Sequence, residues 1–371
     1  YGHESVVRLL LDRGASIDGA TDFIEKPLYV ASRYGHDSIV RLLLDRGASV
    51  DAATWDNRTL LHVAAWNGHE PIVRLLLDRG ASIDAATWYN FTPLYFASQN
   101  GQETIVRLLL DRGASIDSAN NGNETPLYIA SRYGHESVVR LLLDRGASID
   151  AATGFNETPL HIASRHGHES VVRLLLEKGA SIGAATSFNQ TPLHVAAWYG
   201  HESVVRLLLD RGASIDAATN RNETSLHVAS QEGHEPIVRL LLDRGASIDA
   251  ATGFDHTPLH IASRKGHESV VRLLLDRGAS IDSATNRGGS PLYVAAWYGH
   301  ESIVRLLLDR GASIDSATNR NETPLHIASR EGHEPIVRLL LDRGASIDAA
   351  TDRNETPLYI ASRHGHEPVV R

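Results

Sequence analysis

Hydrophobic positions along the chain recur on two nested scales. At the short scale, residues 158–181 read TPLHIASRHGHESVVRLLLEKGAS, two apolar runs separated by a polar GH step. Thr158 suits a helix N-cap, where its side chain accepts a backbone N–H, and Pro159 the first helical position, where a missing N–H costs nothing. Leu160, Ile162 and Ala163 start an apolar face, so the pattern predicts a short helix that stops near Gly167. A second helix is predicted to begin at His168 or Glu169; four copies place Pro71, Pro236, Pro335 or Pro368 in that first turn. The equivalent run Val138, Val139, Leu141, Leu142, Leu143 is too wide for a helix covered on one side and predicts packing between neighbours in front and behind. Glu136 and Arg140 stand in the favourable i,i+4 order, and Gly146 is predicted to close the helix in a left-handed conformation.

At the long scale the whole pattern returns with a period of 33 residues. The glycine of the GAS motif falls at Gly14, Gly47, Gly80, Gly113, Gly146, Gly179, Gly212, Gly245, Gly278, Gly311 and Gly344, and the spacing never slips. Counting from four residues before each TPLH gives ten complete units, 22–54 through 319–351. A partial unit 1–21 precedes them and a partial unit 352–371 follows. Length alone would suggest two or three domains; the repetition replaces that with a single array over 1–371. A unit this short cannot bury enough surface to fold alone, so the core must come from stacking.

TPLHIA at Thr158, Thr257 and Thr323, TPLHVA at Thr191 and TPLYIA at Thr125 and Thr356, together with GHESVVRLLLDRGAS, resemble the ankyrin-repeat family over the full chain. The resemblance implies an all-α repeat fold, the ankyrin α-solenoid: a helix-turn-helix and a β-hairpin-like finger per unit, with the finger tips and the first-helix ends lining one concave surface. It also implies that the TPLH and GH histidines bond locally and to the next repeat. Asn57, Asn90, Asn123, Asn156, Asn189, Asn222, Asn321 and Asn354 occupy a finger position where glycine is common in the family; Asn also tolerates positive φ. Ile24 stands there in the first finger, which predicts a distorted turn.

Composition narrows the function more than the fold. The chain of 371 residues has a formal charge of −9 and no cysteine. It therefore carries no basic footprint for nucleic acid or an anionic membrane, no disulfide framework and no Cys-based metal site. No apolar run reaches the roughly 18–20 residues of a membrane span. The chain begins inside a repeat and lacks methionine, as expected of a segment of a longer protein. Of 20 histidines, six sit in TPLH (His62, His161, His194, His227, His260, His326) and eleven in GH. Equivalent rings lie roughly 8–10 Å apart in stacked repeats, too far to share an ion, so no metal and no cofactor is expected. His166, His256 and His364 fall outside both motifs and are read as surface. No GxSxG, HExxH, P-loop or dinucleotide fingerprint occurs, and a uniformly repeated GHE is not an asymmetric catalytic constellation; no catalytic residue and no enzyme activity are assigned. Arg140, Arg173 and Arg206, beside a ladder of Glu, read as a solvated face. Asn-x-Thr at Asn57, Asn156 and Asn321 matches a glycosylation sequon, but Asn serves the turn and Thr the cap. Glycans on the fingers would obstruct binding, which favours a cytoplasmic location.

Differences between copies concentrate in the finger tip and the first-helix end. All five tryptophans lie there, with most of the phenylalanines. Large aromatics exposed in register signal a binding surface, and Trp, Tyr and Arg dominate interface hot spots. The candidate partner-binding residues are Phe23, Arg33, Tyr34, Trp55, Trp66, Trp88, Tyr89, Phe91, Arg132, Tyr133, Phe155, Arg165, Phe188, Trp198, Tyr199, Phe254, Trp297 and Tyr298. Mere drift at exposed sites should also scramble the exposed Asp and Arg of LLLDRG, yet those scarcely vary; only Glu177 and Lys178 depart. The expected function is non-catalytic recognition of a protein partner on the concave face by a monomeric array, with no nucleic acid and no membrane. The alternatives are a ligand-sensing repeat region of a larger signalling NTPase, since such uniform arrays resemble the C-terminal sensor regions of immune-type NACHT/STAND proteins, or an engineered or mechanical repeat scaffold.

Overall fold

The start of most first helices and the end of the second helices follow from backbone hydrogen-bond requirements met by a nearby residue. The first helix of a repeat opens on a Thr in extended conformation, as at Thr158 (φ −91°, ψ 168°), followed by Pro at the first position. The third helical residue closes a reciprocal cap: the Thr158 N–H donates to His161 Nδ1 at 3.2 Å, while the Thr side chain receives the backbone N–H of His161. The second helix ends on Gly146 at φ +88°. The Gly146 N–H donates to the Leu143 carbonyl and the Ala147 N–H to that of Leu142, each at 3.0 Å, the double bond pattern of a Schellman termination.

A computed structural model describes residues 3–19 and 26–366. The chain divides into two compact units, Tyr1–Ser187 and Phe188–Arg371. In the first unit, the first helices are Pro27–Arg33, Leu60–Asn67, Pro93–Gln99, Pro126–Arg132 and Pro159–Arg165. The second helices there are Glu4–Asp12, Asp37–Asp45, Glu70–Asp78, Glu103–Asp111, Glu136–Asp144 and Glu169–Glu177. The second unit repeats the plan, with first helices Pro192–Tyr199, Ser225–Glu232, Pro258–Lys265, Pro291–Tyr298, Pro324–Glu331 and Pro357–His364. Its second helices are Glu202–Asp210, Glu235–Asp243, Glu268–Asp276, Glu301–Asp309 and Glu334–Asp342. Within each unit, consecutive first helices pack on one another, and among the described residues each first helix that is followed by a second helix packs on it.

Burial refines one sequence expectation: the second helices do pack between those of the repeats before and after, as the apolar run predicts, but they are not the most enclosed elements. The second helices bury a single stripe: Val138, Val139, Leu141 and Leu142 are enclosed, Leu143 is half-buried, and Arg140 and Asp144 face out. The first helices are the ones enclosed on nearly all sides, with Pro159, Leu160, His161, Ile162, Ala163 and Ser164 all buried. Alanine at the centre, fully enclosed at Ala130 and Ala163, lets neighbouring first helices approach closely. The Oγ atoms of Ser98, Ser131 and Ser164 are buried there without a hydrogen-bond partner.

The fingers are tight turns rather than hairpins of strand. The Thr153 N–H donates to the Glu157 carbonyl at 3.0 Å and the Asn156 N–H to the Thr153 carbonyl at 2.9 Å. Among the described residues the only bridge is the isolated antiparallel pair Ala53 and Thr59. The eight expected asparagines all sit at φ between 55° and 64°, joined by Asp255 at 58°. The first finger, with Ile24 and Phe23, and Pro368 lie outside the described residues.

Candidate functional site

Most of the repeated polar letters are committed to holding one repeat on the next. The His62 ring accepts the Thr59 N–H at Nδ1 (3.0 Å), so Nε2 carries the proton and donates to the Phe91 carbonyl, 3.0 Å away in the following finger. The same bridge runs from His227 to the His256 carbonyl and from His260 to the Gly289 carbonyl. Burial pushes the imidazoles of His62, His227 and His260 down to about 4, against the opposing effect of those backbone bonds. In three of the copies where Tyr replaces this His, its hydroxyl reaches a carboxylate in the next finger: Tyr95 to Glu124 at 3.0 Å, Tyr128 to Glu157 at 3.1 Å, Tyr293 to Glu322 at 3.1 Å. Burial beside those carboxylates pushes all three phenols well above the ordinary tyrosine range. The GH histidines face the other way. His168 Nε2 donates to the Arg132 carbonyl at 3.0 Å, and its ring lies over Gly134, where a Cβ would stand 2.6 Å away. His256, read as surface, is half-buried and packs edge-on against His260.

The LLLDRG charges are likewise tied. Arg145 pairs with Asp111 one repeat earlier at 2.8 Å, and Arg310 with Asp276 at 2.7 Å; Lys178 keeps the pattern with Asp144. Their constancy therefore has a structural cause of its own and is no measure of drift. Glu136 and Arg140 form the expected i,i+4 pair at 2.8 Å.

What these commitments leave over is the aromatic set. All five tryptophans are exposed, from 39% at Trp198 to 65% at Trp55. In the first unit two groupings form. Trp55 and Trp88 meet edge-to-face at the finger tips, 5.4 Å between centroids, beside the exposed Tyr89. Trp66, at a first-helix end, stands edge-on to Phe96 at 5.1 Å, and the Arg58 guanidinium lies 5.7 Å above the same Phe96 ring. Tyr29, Arg33, Arg58, His62, Val63, Trp66, Asn67 and Phe96 line a cleft of about 300 Å³ there. Tyr34, Tyr133 and Phe155 are also exposed. In the second unit Phe188, Trp198, Tyr199 and Phe254 are exposed, and Trp297 stacks on Tyr298 at 6.0 Å with Arg264 5.4 Å above the Tyr298 ring.

Three expected residues sit differently. Phe91 is half-buried and packs on Tyr95 at 4.7 Å and Phe96 at 5.6 Å, because its finger carries an apolar ring where six other copies carry Glu. Arg132 reaches Glu124 at 3.7 Å, and Arg165 is half-buried in an ion pair with Glu157. The finger Glu that receives the Tyr hydroxyl thus also holds the arginine of its own first helix. Phe96 and Arg58, floor and flank of the cleft, were not among the sequence candidates. The signal for Phe96 is TPLYFA, where Phe replaces the usual Val or Ile.

A family model of three ankyrin repeats matches the chain in overlapping stretches: residues 1–87, 54–120, 86–153, 116–186, 150–219, 183–252, 226–318 and 314–371. The chain belongs to the ankyrin-repeat family. Among solved structures, the ankyrin repeat domain of human ASB11 is 30% identical, covering 55% of this chain and 92% of that one with a TM-score of 0.52. The ankyrin repeat domain of Bcl-3, described as a unique member of the IkappaB protein family, is 35% identical, covering 57% of this chain and 97% of that one with a TM-score of 0.51. No curated protein matches the chain. Ankyrin repeats are in general protein–protein interaction modules, and no enzymatic family is indicated. Among the described residues, no helix of this ankyrin array is long and apolar enough to cross a membrane.

Proposed function

We propose that this ankyrin array recognises a protein partner, without catalysis, through the exposed aromatics of its finger tips and first-helix ends, the concave side of such arrays. One observation carries the reading. Most motif letters that repeat are engaged in caps, cross-repeat bonds or ion ladders, whereas the tryptophans vary between copies and stay exposed, meeting adjoining rings where they meet anything aromatic. Large apolar side chains held outside the core are costly to leave in water. They stand on capped helices and hydrogen-bonded turns, so binding would require little ordering of the backbone beneath them.

The test compares the chain with its W66A/W88A variant as bait in partner capture, followed by titration of the captured protein. Removing two central anchors is expected to weaken binding by at least about 2 kcal/mol, roughly thirtyfold. Both side chains are exposed over much of their surface, so the far-UV spectrum should be retained, with at most a small fall in unfolding midpoint from the lost contacts to Phe96 and Trp55. Undiminished affinity in a folded variant would remove the first unit's aromatics from the site.

A further inference from the structure

The second unit carries a charged feature that the aromatic reading does not use. Backbone bonds tie its finger tips in series: the Gly253 N–H donates to the Arg221 carbonyl at 2.9 Å, Asn286 to Phe254 at 3.4 Å, Asn319 to Arg287 at 3.0 Å and Asp352 to Arg320 at 3.1 Å. These bonds place Arg221, Phe254, Arg287, Arg320 and Arg353 at the same tip position of five consecutive fingers. All five side chains are exposed. Among the described residues no ion pair involves any of the four guanidiniums, whereas the arginines of the second helices and of LLLDRG described above are paired. The same fingers carry carboxylates: Asp255 in the turn beside Phe254, Asp352, which accepts from Asn321 at 2.6 Å, and Glu223, Glu322 and Glu355 two residues beyond the arginines, of which Glu322 and Glu355 are paired with Arg330 and Arg363 of their first helices.

We infer that the finger-tip row of Arg221, Phe254, Arg287, Arg320 and Arg353 binds an extended acidic peptide segment whose carboxylates recur at every third residue, with an apolar side chain at the position facing Phe254. Four unpaired guanidiniums kept in register on a chain of net charge −9 call for a complementary anion. Guanidinium forks match carboxylates bidentately. Repeats stack at roughly 8–10 Å and an extended peptide advances about 3.3 Å per residue, so each third residue meets the next finger. A nucleic-acid strand fits less well: single strands are held by aromatic platforms on which successive bases stack as well as by basic groups, and the row offers one ring, Phe254, among four arginines.

The inference stands on residues of the second unit and does not depend on the tryptophans of the first. It is tested by fluorescence anisotropy with the full chain and a labelled synthetic peptide. The peptide presents acid, apolar, acid, acid, acid in that order, each separated by two small polar residues; its reverse-order sequence is the second probe, since either direction could run along the row. One of the two should bind. Moving the acids to every second position at constant composition should weaken binding about tenfold, and R287E/R320E/R353E at least about thirtyfold. R287K/R320K/R353K, which keeps the charge and loses the fork, should weaken it by less than the charge reversal, and W66A/W88A should leave it unchanged. Failure of both peptides, equal binding of the respaced one, indifference to the charge reversal in a variant of unchanged circular dichroism, or preference for a uridine oligonucleotide would each overturn it.

Discussion

The histidines that close the first-helix caps make the array sensitive to mild acid, and the size of the effect can be worked out. His62, His227 and His260 are held neutral in the folded state with pKa values of about 4, against 6.5 when exposed. Their burial disfavours the charged form, and protonation at Nδ1 would remove the acceptor for the Thr59 N–H and its equivalents. A depressed folded pKa means that the unfolded chain takes up protons first. The stabilisation is complete above about pH 7 and is lost as the pH falls from 6.5 towards 4. At pH 5 each unfolded imidazole is almost fully protonated and each folded one scarcely so, a loss of about 2 kcal/mol per site relative to pH 8, or about 6 kcal/mol for the three. Urea unfolding followed by circular dichroism between pH 8 and pH 5 measures it. The control is H62Q/H227Q/H260Q, since Gln at the third helical position can also accept the N-cap N–H but does not titrate. The variant should be less stable at pH 8, because it gives up bonds to the next finger, and its pH profile should be flatter by that amount. If wild type loses no more stability than the variant over this range, the capping histidines are not the acid-sensitive groups and the argument from burial is refuted.

Two further outcomes follow from the packing between repeats. Gly134→Ala places a side chain on a residue at φ +74° and within 2.6 Å of the His168 ring; backbone strain and the lost bond to the Arg132 carbonyl should together cost about 2–4 kcal/mol, read as a lower urea midpoint. Ser131→Ala removes a buried hydroxyl with no partner, and every copy with Trp at the next position already has Ala there, at Ala65, Ala197 and Ala296. It should raise stability by about 0.5–1 kcal/mol, and a destabilisation would mean that the hydroxyl is bonded after all.

The amino-acid sequence by itself determined the period, the helix pair in each unit and the residues that begin and end them. Thr158 and Pro159, Gly146 and Asn156 were legible because each answers a demand of its own backbone: an orphan N–H, a helix end or a positive φ. The exposure of Trp55, Trp66 and Trp88 was legible for a related reason, as they replace small or polar residues at positions outside the apolar stripe. The tertiary structure decided whatever depends on a partner one repeat away. It joins His62 to the Phe91 carbonyl and Tyr128 to Glu157 across 29 residues, and Arg145 to Asp111 across 34. It also encloses the first helices more fully than the second, turns Phe91 inward onto Tyr95, and holds Arg165 against Glu157. Local backbone chemistry acts between neighbours in sequence and can be read in any single copy. Stacking sets which side chains meet across copies, and no one repeat carries that geometry alone.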